Sequence, residues 1–202
     1  MNIRPVVLRD GVVVEDPLGD LLGYVEAHWH LEVADAAGPA SFGEPDLRRA
    51  NRGGARISAA EGAAILERRT AIEPALAAIT PGASLAATAR SVPWTALERL
   101  FDAFAGIRGV GLSKTTKALH GKRPALIPLL DSVVQRYLRD DDVGAGASFG
   151  ARALGLVRGY KRDLDRNRAA VRAVRGELAR RGWEVTEVRI LDLLIWSAEA
   201  AR

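Results

Sequence analysis

The chain opens with IRPVVLRDGVVVEDP, two valine-rich runs on either side of Asp10-Gly11, and this arrangement predicts a β-hairpin or two paired extended segments. Between Leu18 and Ala36 apolar positions recur at helical spacing, although HWHLEV alternates as a strand would. Residues 37–54 are rich in Gly, Pro and charge; they read as a mobile or substrate-facing loop with at most a short helical turn around Asp46 to Ala50. Ser58 followed by Glu61 is a capping-box pattern that starts a helix running toward Ile79, with Leu66, Ile72 and Leu76 among its apolar positions. Thr80, Pro81 and Gly82 stop it.

Another helix starts near Pro93, capped by Ser91, with Leu97, Leu100, Phe101 and Phe104 as its buried side, and ends at Gly106. Short helices follow Gly111 and Asp131. After RDDDVGAGASFG a long helical stretch runs from about Ala151 to Arg181, divisible near Gly159 and stopped by Gly182. Thr186 then caps EVRILDLLIWSAEA, where Ile190, Leu193, Leu194 and Ile195 form an apolar stripe; Trp183 and Trp196 are expected to tie the last helices to the core. The pattern as a whole predicts a mainly α-helical fold, a compact bundle of about eight or nine helices with a short N-terminal β-hairpin. Residues 1–202 are expected to form one domain, or two lobes sharing one core, with 151–202 supplying the C-terminal helices.

Composition narrows the chemistry. A chain of 202 residues can bury a proper core. The absence of cysteine excludes a disulfide framework, thiolate catalysis and Cys-ligated metal centres. Only three histidines are present, and His28 and His30 share a face only in an extended segment, so no metal site and no cofactor is expected. No run of eighteen apolar residues and no signal-peptide pattern occurs, which predicts a soluble, cytoplasmic protein that makes no use of a membrane.

The formal charge is +4, but it is unevenly spread. Residues 106–123 hold Arg108, Lys114, Lys117, Lys122 and Arg123 without an acid, and residues 150–182 hold ten Lys or Arg against Asp163, Asp165 and Glu177. Two such segments suggest a polyanion-binding face; arginines that merely decorate solvent-facing helices are the alternative.

Between the helices ending at Gly106 and starting near Leu112 lies GIRGVG. Gly109 and Gly111 can take positive φ, Val110 can plug the hairpin core, and the exposed amides beside a helix N-terminus form a phosphate-binding concavity. Ser113 can add a hydroxyl donor and Lys114 and Lys117 can neutralise phosphates. Neither a Walker A motif nor a dinucleotide fingerprint fits the glycine spacing.

GIRGVGLSKTTKALHGKRPALIPLLDSVVQR resembles the helix-hairpin-helix DNA glycosylase superfamily. Gly109, Val110 and Gly111 match the family's hairpin, Asp131 falls at the spacing of its catalytic aspartate, and Arg136 at that of an arginine on the next helix. The resemblance implies a helix-hairpin-helix over 94–120, contact with the backbone of duplex DNA through Arg108, Gly109, Val110, Gly111, Ser113, Lys114, Lys117, Lys122 and Arg136, and a nucleoid-associated monomer. Ser113 stands where bifunctional members carry a nucleophilic lysine, so the resemblance is to the monofunctional branch, which excises a base with water. Leu129-Leu130 before the aspartate and Ser132-Val133 after it depart from the family's usual residues.

Asp131 has two readings. Its carboxyl can cap the following helix by accepting from the amides near Val133 and Val134. Alternatively it can stabilise positive charge on a sugar and orient water as a flipped-out base departs. Tyr24, Trp29 and Trp94 are candidates for stacking that base, or are core aromatics. His120 can donate to phosphate or simply end its helix. Three functional classes therefore remain: a monofunctional DNA N-glycosylase, a non-catalytic helix-hairpin-helix DNA binder, and a helical structural or interaction protein that never touches nucleic acid.

Overall fold

In the structure, a computed structural model that describes residues 3–32 and 38–200, the valine runs form β1 (Val6–Val7) and β2 (Val13–Val14). They pair antiparallel, Val6 opposite Val14 and Val7 opposite Val13, with Asp10 and Gly11 at φ 55° and 72° between them. The hairpin is fastened to the far end of the chain. Val7 N–H donates to Asn167 Oδ1 at 2.8 Å, and Asn167 Nδ2 returns a bond to Val7 O at 2.9 Å. Arg9 pairs with Asp141 and Asp163, each at 2.6 Å.

Ten helices follow among the described residues: α1 (Pro17–Glu32), α2 (Glu44–Arg52), α3 (Ala59–Glu67), α4 (Arg69–Ala77), α5 (Trp94–Asp102), α6 (Leu112–His120), α7 (Ser132–Tyr137), α8 (Phe149–Arg166), α9 (Arg168–Arg180) and α10 (Glu187–Ala200). The fold is thus mainly α-helical, with the N-terminal β-hairpin as its small sheet. No helix of the described residues is long and apolar enough to cross a membrane. The core is contiguous, with Leu97, Leu100, Phe101 and Phe104 of the α5 region fully buried and Phe42 set edge-on to Phe104 at 5.9 Å. Helix α5 is held by α4 and α8, α6 by α2, and α10 by α1, α7 and α9.

Four boundaries differ from the sequence expectation, for three of which the structure gives a reason. Helix α2 stands where a loop was expected. Asp46 Oδ2 accepts from Gly43 N–H at 2.9 Å to close its first turn, while only Leu47 and Ala50 supply an apolar side, too few to register as a periodic signal. The Ser58–Glu61 capping box is present as expected, but the helix it opens breaks at Arg68 (φ −85°, ψ 4°) into α3 and α4; we find no physical cause for that break. Pro93, not Ser91, occupies the N-cap of α5, because Ser91 Oγ is engaged with Thr88 Oγ1 at 2.8 Å. The long C-terminal stretch divides at Asn167 rather than Gly159, since Asn167 turns its amide to the β-hairpin.

Several basic residues are internal struts. Arg123 is 1% exposed and donates to the carbonyls of Leu76, Ile79, Pro39 and Lys122, satisfying the C-terminal end of α4. Lys161 does the same for Leu85 O and Ala87 O while pairing with Asp165.

Candidate functional site

The turn from α5 to α6 carries positive φ at Gly106 (75°) and Gly109 (80°). Gly111, expected to share that conformation, is instead extended (φ −94°, ψ −173°) and caps α6. Val110 is buried at 5% exposure, whereas Arg108, Gly109 and Gly111 face outward. Val110 N–H is spent on Ile107 O at 3.1 Å, leaving the first-turn amides of α6 as the donors of this hairpin. The two flanking helices take different partners, α5 from α8 and α6 from α2, and are not packed chiefly on each other.

Glu61, at the first turn of α3, reaches over the hairpin. Its carboxylate occupies the space a side chain at residue 109 would need, so a substitution there would displace Glu61 in addition to straining the positive φ. Lys114 Nζ donates to Glu61 Oε1 at 2.5 Å, and with Ser58 N–H this pair holds the Glu61 carboxyl down at about 2. An anion of the protein's own therefore already sits against Gly109 and Lys114.

One turn further along α6, Lys117 lies at the wall of a cleft of about 180 Å³ whose other functional walls are Tyr24 of α1, Asp131 before α7, and Arg189, Asp192 and Trp196 of α10. The volume is below the roughly 300–1,000 Å³ of clefts that take drug-sized ligands. Asp131 caps α7 as expected: its Oδ1 accepts from Val133 N–H and Val134 N–H, both at 3.0 Å. That bond pattern anchors one carboxylate oxygen and fixes the direction of the other. Arg189 donates to Tyr24 OH at 2.9 Å and lies 5.6 Å from that ring's centre, positioning the tyrosine as one wall. Trp196 is 49% exposed and also lines the cleft, rather than acting as the core tether expected of it.

The cleft's electrostatics are unusual for a surface feature. Asp192 is 2% exposed; Oδ2 accepts from Leu129 N–H at 3.1 Å while Oδ1 has no hydrogen-bond partner. Burial pushes the Asp192 carboxyl up to about 7 despite the opposing pull of Arg189, Leu129 N–H and Tyr160, with Asp131 adding to the rise. Burial lowers the Lys117 ammonium from its usual value, opposed by Asp131 and reinforced by Arg189 and Arg56. Lys117 Nζ also donates to Gly54 O at 3.2 Å. A carboxyl and an amine displaced toward neutrality, beside a fixed carboxylate, can orient water and move a proton.

The remaining sequence candidates fall elsewhere. Lys122 is a correction: it is buried against Asp46 at 2.8 Å, with side chains 3% and 5% exposed, and also reaches Gly38 O, so it offers no charge to a strand. Ser113 lies half-buried on the first turn of α6. Arg136 is exposed on α7 near Glu199, at 3.8 Å. Trp94 is away from the cleft; its Nε1–H donates to Ala89 O at 2.9 Å and Arg158 stacks over its ring at 5.4 Å. The side chain of Trp29, like those of His28 and His30, lies outside the described residues. His120 Nδ1 is 2.6 Å from Ile127 O. Among the described residues no group of three His, Asp or Glu could hold a metal ion.

The sequence reading missed Arg189, Asp192 and Trp196 as site residues. A signal was present: with Leu193 they recur at i, i+3, i+4 and i+7, one face of α10, and a carboxylate interrupts the apolar run RILDLLIW.

Fold and cleft together define a mainly α-helical protein with a small, cation-bordered cleft lined from α1, α6, α7 and α10 and by Gly53 at the end of α2. The family model described as Family of unknown function (DUF6308) matches residues 31–199, and the chain belongs to that family. Comparison with curated proteins and with solved structures gave no match.

Proposed function

We propose that the protein binds DNA through the outward face of the α5–α6 turn and removes a base from it with water, as a monofunctional N-glycosylase with Asp131 beside the sugar. The observation that carries this reading is the position of Asp131: it lines a cleft shared with Tyr24 and Trp196, and with Lys117 of the helix that follows the exposed glycine turn. A flipped base would stack between those rings. The Asp131 carboxylate would stabilise the oxocarbenium-like sugar, and Lys117 and Arg189 would meet the flanking phosphate charge. Asp192, part protonated near neutrality, would hydrogen-bond the departing heterocycle.

The competing reading is a strand binder without chemistry. One observation favours it: Asp131 Oδ1 is already occupied by two helix amides.

Incubation with labelled duplexes, each carrying one lesion from a panel, followed by alkali, tests the proposal. Strand scission at the lesion that appears only after alkali is expected, together with binding that weakens as salt rises. Binding without scission on any duplex would leave the binder reading, and no binding at low salt would remove both.

A further inference from the structure

The loop joining α2 to α3 runs along the side of α6 that carries the cleft. Gly53 lines the cleft, and Gly54 O accepts from Lys117 Nζ at 3.2 Å. At the other end of the same segment Glu61 reaches Lys114, one turn earlier on α6. The loop is tightly fastened. Gly53 N–H, Gly54 N–H and Ala55 N–H close the end of α2 on Arg49 O, Asn51 O and Ala50 O at 3.0, 2.9 and 2.9 Å, with Gly54 at φ 77° as such a cap requires. The Asn51 side chain then brackets Ile57, accepting from its N–H at 2.6 Å and donating to its carbonyl at 2.9 Å.

Between these anchors Ala55 and Ile57 are buried, and Arg56 is turned out to solvent. Its φ is 54°, in the left-handed region that disfavours any residue with a side chain. Such a conformation persists where the surroundings over-determine it, and it marks a candidate functional position when the residue has chemistry to offer. Arg56 makes no ion pair among the described residues. The arginines of the C-terminal helices behave differently: Arg152, Arg162, Arg166, Arg168 and Arg180 each hold a carboxylate.

We propose that loop 53–57 is a second grip on the bound strand, with the Arg56 guanidinium neutralising one phosphate next to the nucleotide that enters the cleft. This rests on the nucleic-acid reading of the cleft and adds to it a contact outside the glycine turn. A guanidinium suits the task because its planar fork meets two phosphate oxygens at once. Its rigid backbone removes the cost of ordering the loop when the strand arrives, leaving only that of the arginine side chain.

The test is Arg56→Gly, with Arg56→Lys as the control, in anisotropy titrations of a fluorescein-labelled DNA duplex over a range of salt, with Tm measured alongside. Glycine adopts the left-handed conformation freely, so the variant is expected to fold and to raise Tm by about 2–4 °C. Its plot of log affinity against log salt should be shallower by about one. Arg56→Lys should keep the wild-type slope with no gain in Tm. Wild-type binding whose salt slope is unchanged in Arg56→Gly overturns this inference and leaves the nucleic-acid reading standing. A wild-type protein that shows no salt-dependent binding overturns both.

Discussion

Replacing Asp131 separates a helix cap from a catalytic group, because the two roles use different properties of one side chain. The cap needs an acceptor at Oδ1, which takes hydrogen bonds from Val133 N–H and Val134 N–H at 3.0 Å each. Asparagine keeps that acceptor and ranks with aspartate at the N-cap, so Asp131→Asn should hold α7 in place with a Tm close to wild type. Asp131→Ala removes the acceptor and strands two amides at the start of a six-residue helix. The loss is about 1 kcal/mol, which in a domain of this size lowers Tm by roughly 2–4 °C. Chemistry needs the negative charge, which both variants lack. General acid–base assistance contributes roughly 10²–10⁴ in rate, so both variants should lose excision by that order while only alanine loses stability. The assay is single-turnover release of the base from the best duplex of the lesion panel, read as alkali-labile strand breaks, with a thermal melt of each variant. Full excision activity in Asp131→Asn, with alanine impaired only in proportion to its lower Tm, would refute the catalytic role and leave a cap.

Three other perturbations probe the site's electrostatics and its surroundings. Glu61→Gln keeps the N3 partner of the Ser58 capping box but frees Lys114, so the salt dependence of DNA binding should steepen by about 0.9, the contribution of one more phosphate; an unchanged slope would place the strand away from the hairpin. Lys122→Met breaks a pair whose side chains are 3% and 5% exposed and leaves Asp46 buried without its cation, for a loss of roughly 3–5 kcal/mol in urea unfolding; the folded fraction should bind DNA with an unaltered salt slope, and a shallower one would return Lys122 to the interface. Asp192, pushed up to about 7 mainly by burial, keeps its proton in the folded protein where the unfolded chain releases it near 4, so wild-type stability should fall as pH rises from about 4 to 7, by up to roughly 4 kcal/mol. Asp192→Asn removes that dependence, and stability–pH curves for the two proteins that run parallel would show that the carboxyl titrates normally.

Helices announced by a local device were legible in the chain. The Ser58–Glu61 box, the Thr186 cap and the Asp131 cap each fix a helix start through bonds within three residues, and all three are formed. The split at Asn167 was not legible, because it is caused by a β-hairpin some 160 positions away in sequence that claims the asparagine's amide. Helix α2 was hidden for a different reason: its support comes from α6, so its own sequence carries little apolar periodicity. For the cleft, Asp131 and Tyr24 could be named from sequence as separate candidates. Their meeting depends on the return of α10, which docks against both α1 and α7.

Charge is where counting residues and seeing them placed diverge most. The ten cations of residues 150–182 suggested a polyanion face, yet Asp141, Asp163, Asp165, Glu177 and Glu187 are drawn in among them, and Lys161 is buried. A cation matched by a neighbouring carboxylate releases few counterions when a phosphate approaches, so segment charge overstates what a strand would feel. In the other basic segment Lys122 and Arg123 are likewise internal. What remains is a smaller set: Arg108 on the turn, Lys117 and Arg189 at the cleft wall, and Arg56 on the loop that contributes Gly53 to it. If DNA is the ligand, its affinity should therefore depend on few phosphate contacts, and removing Arg172 and Arg175, which share Glu187, should leave the salt slope where it was.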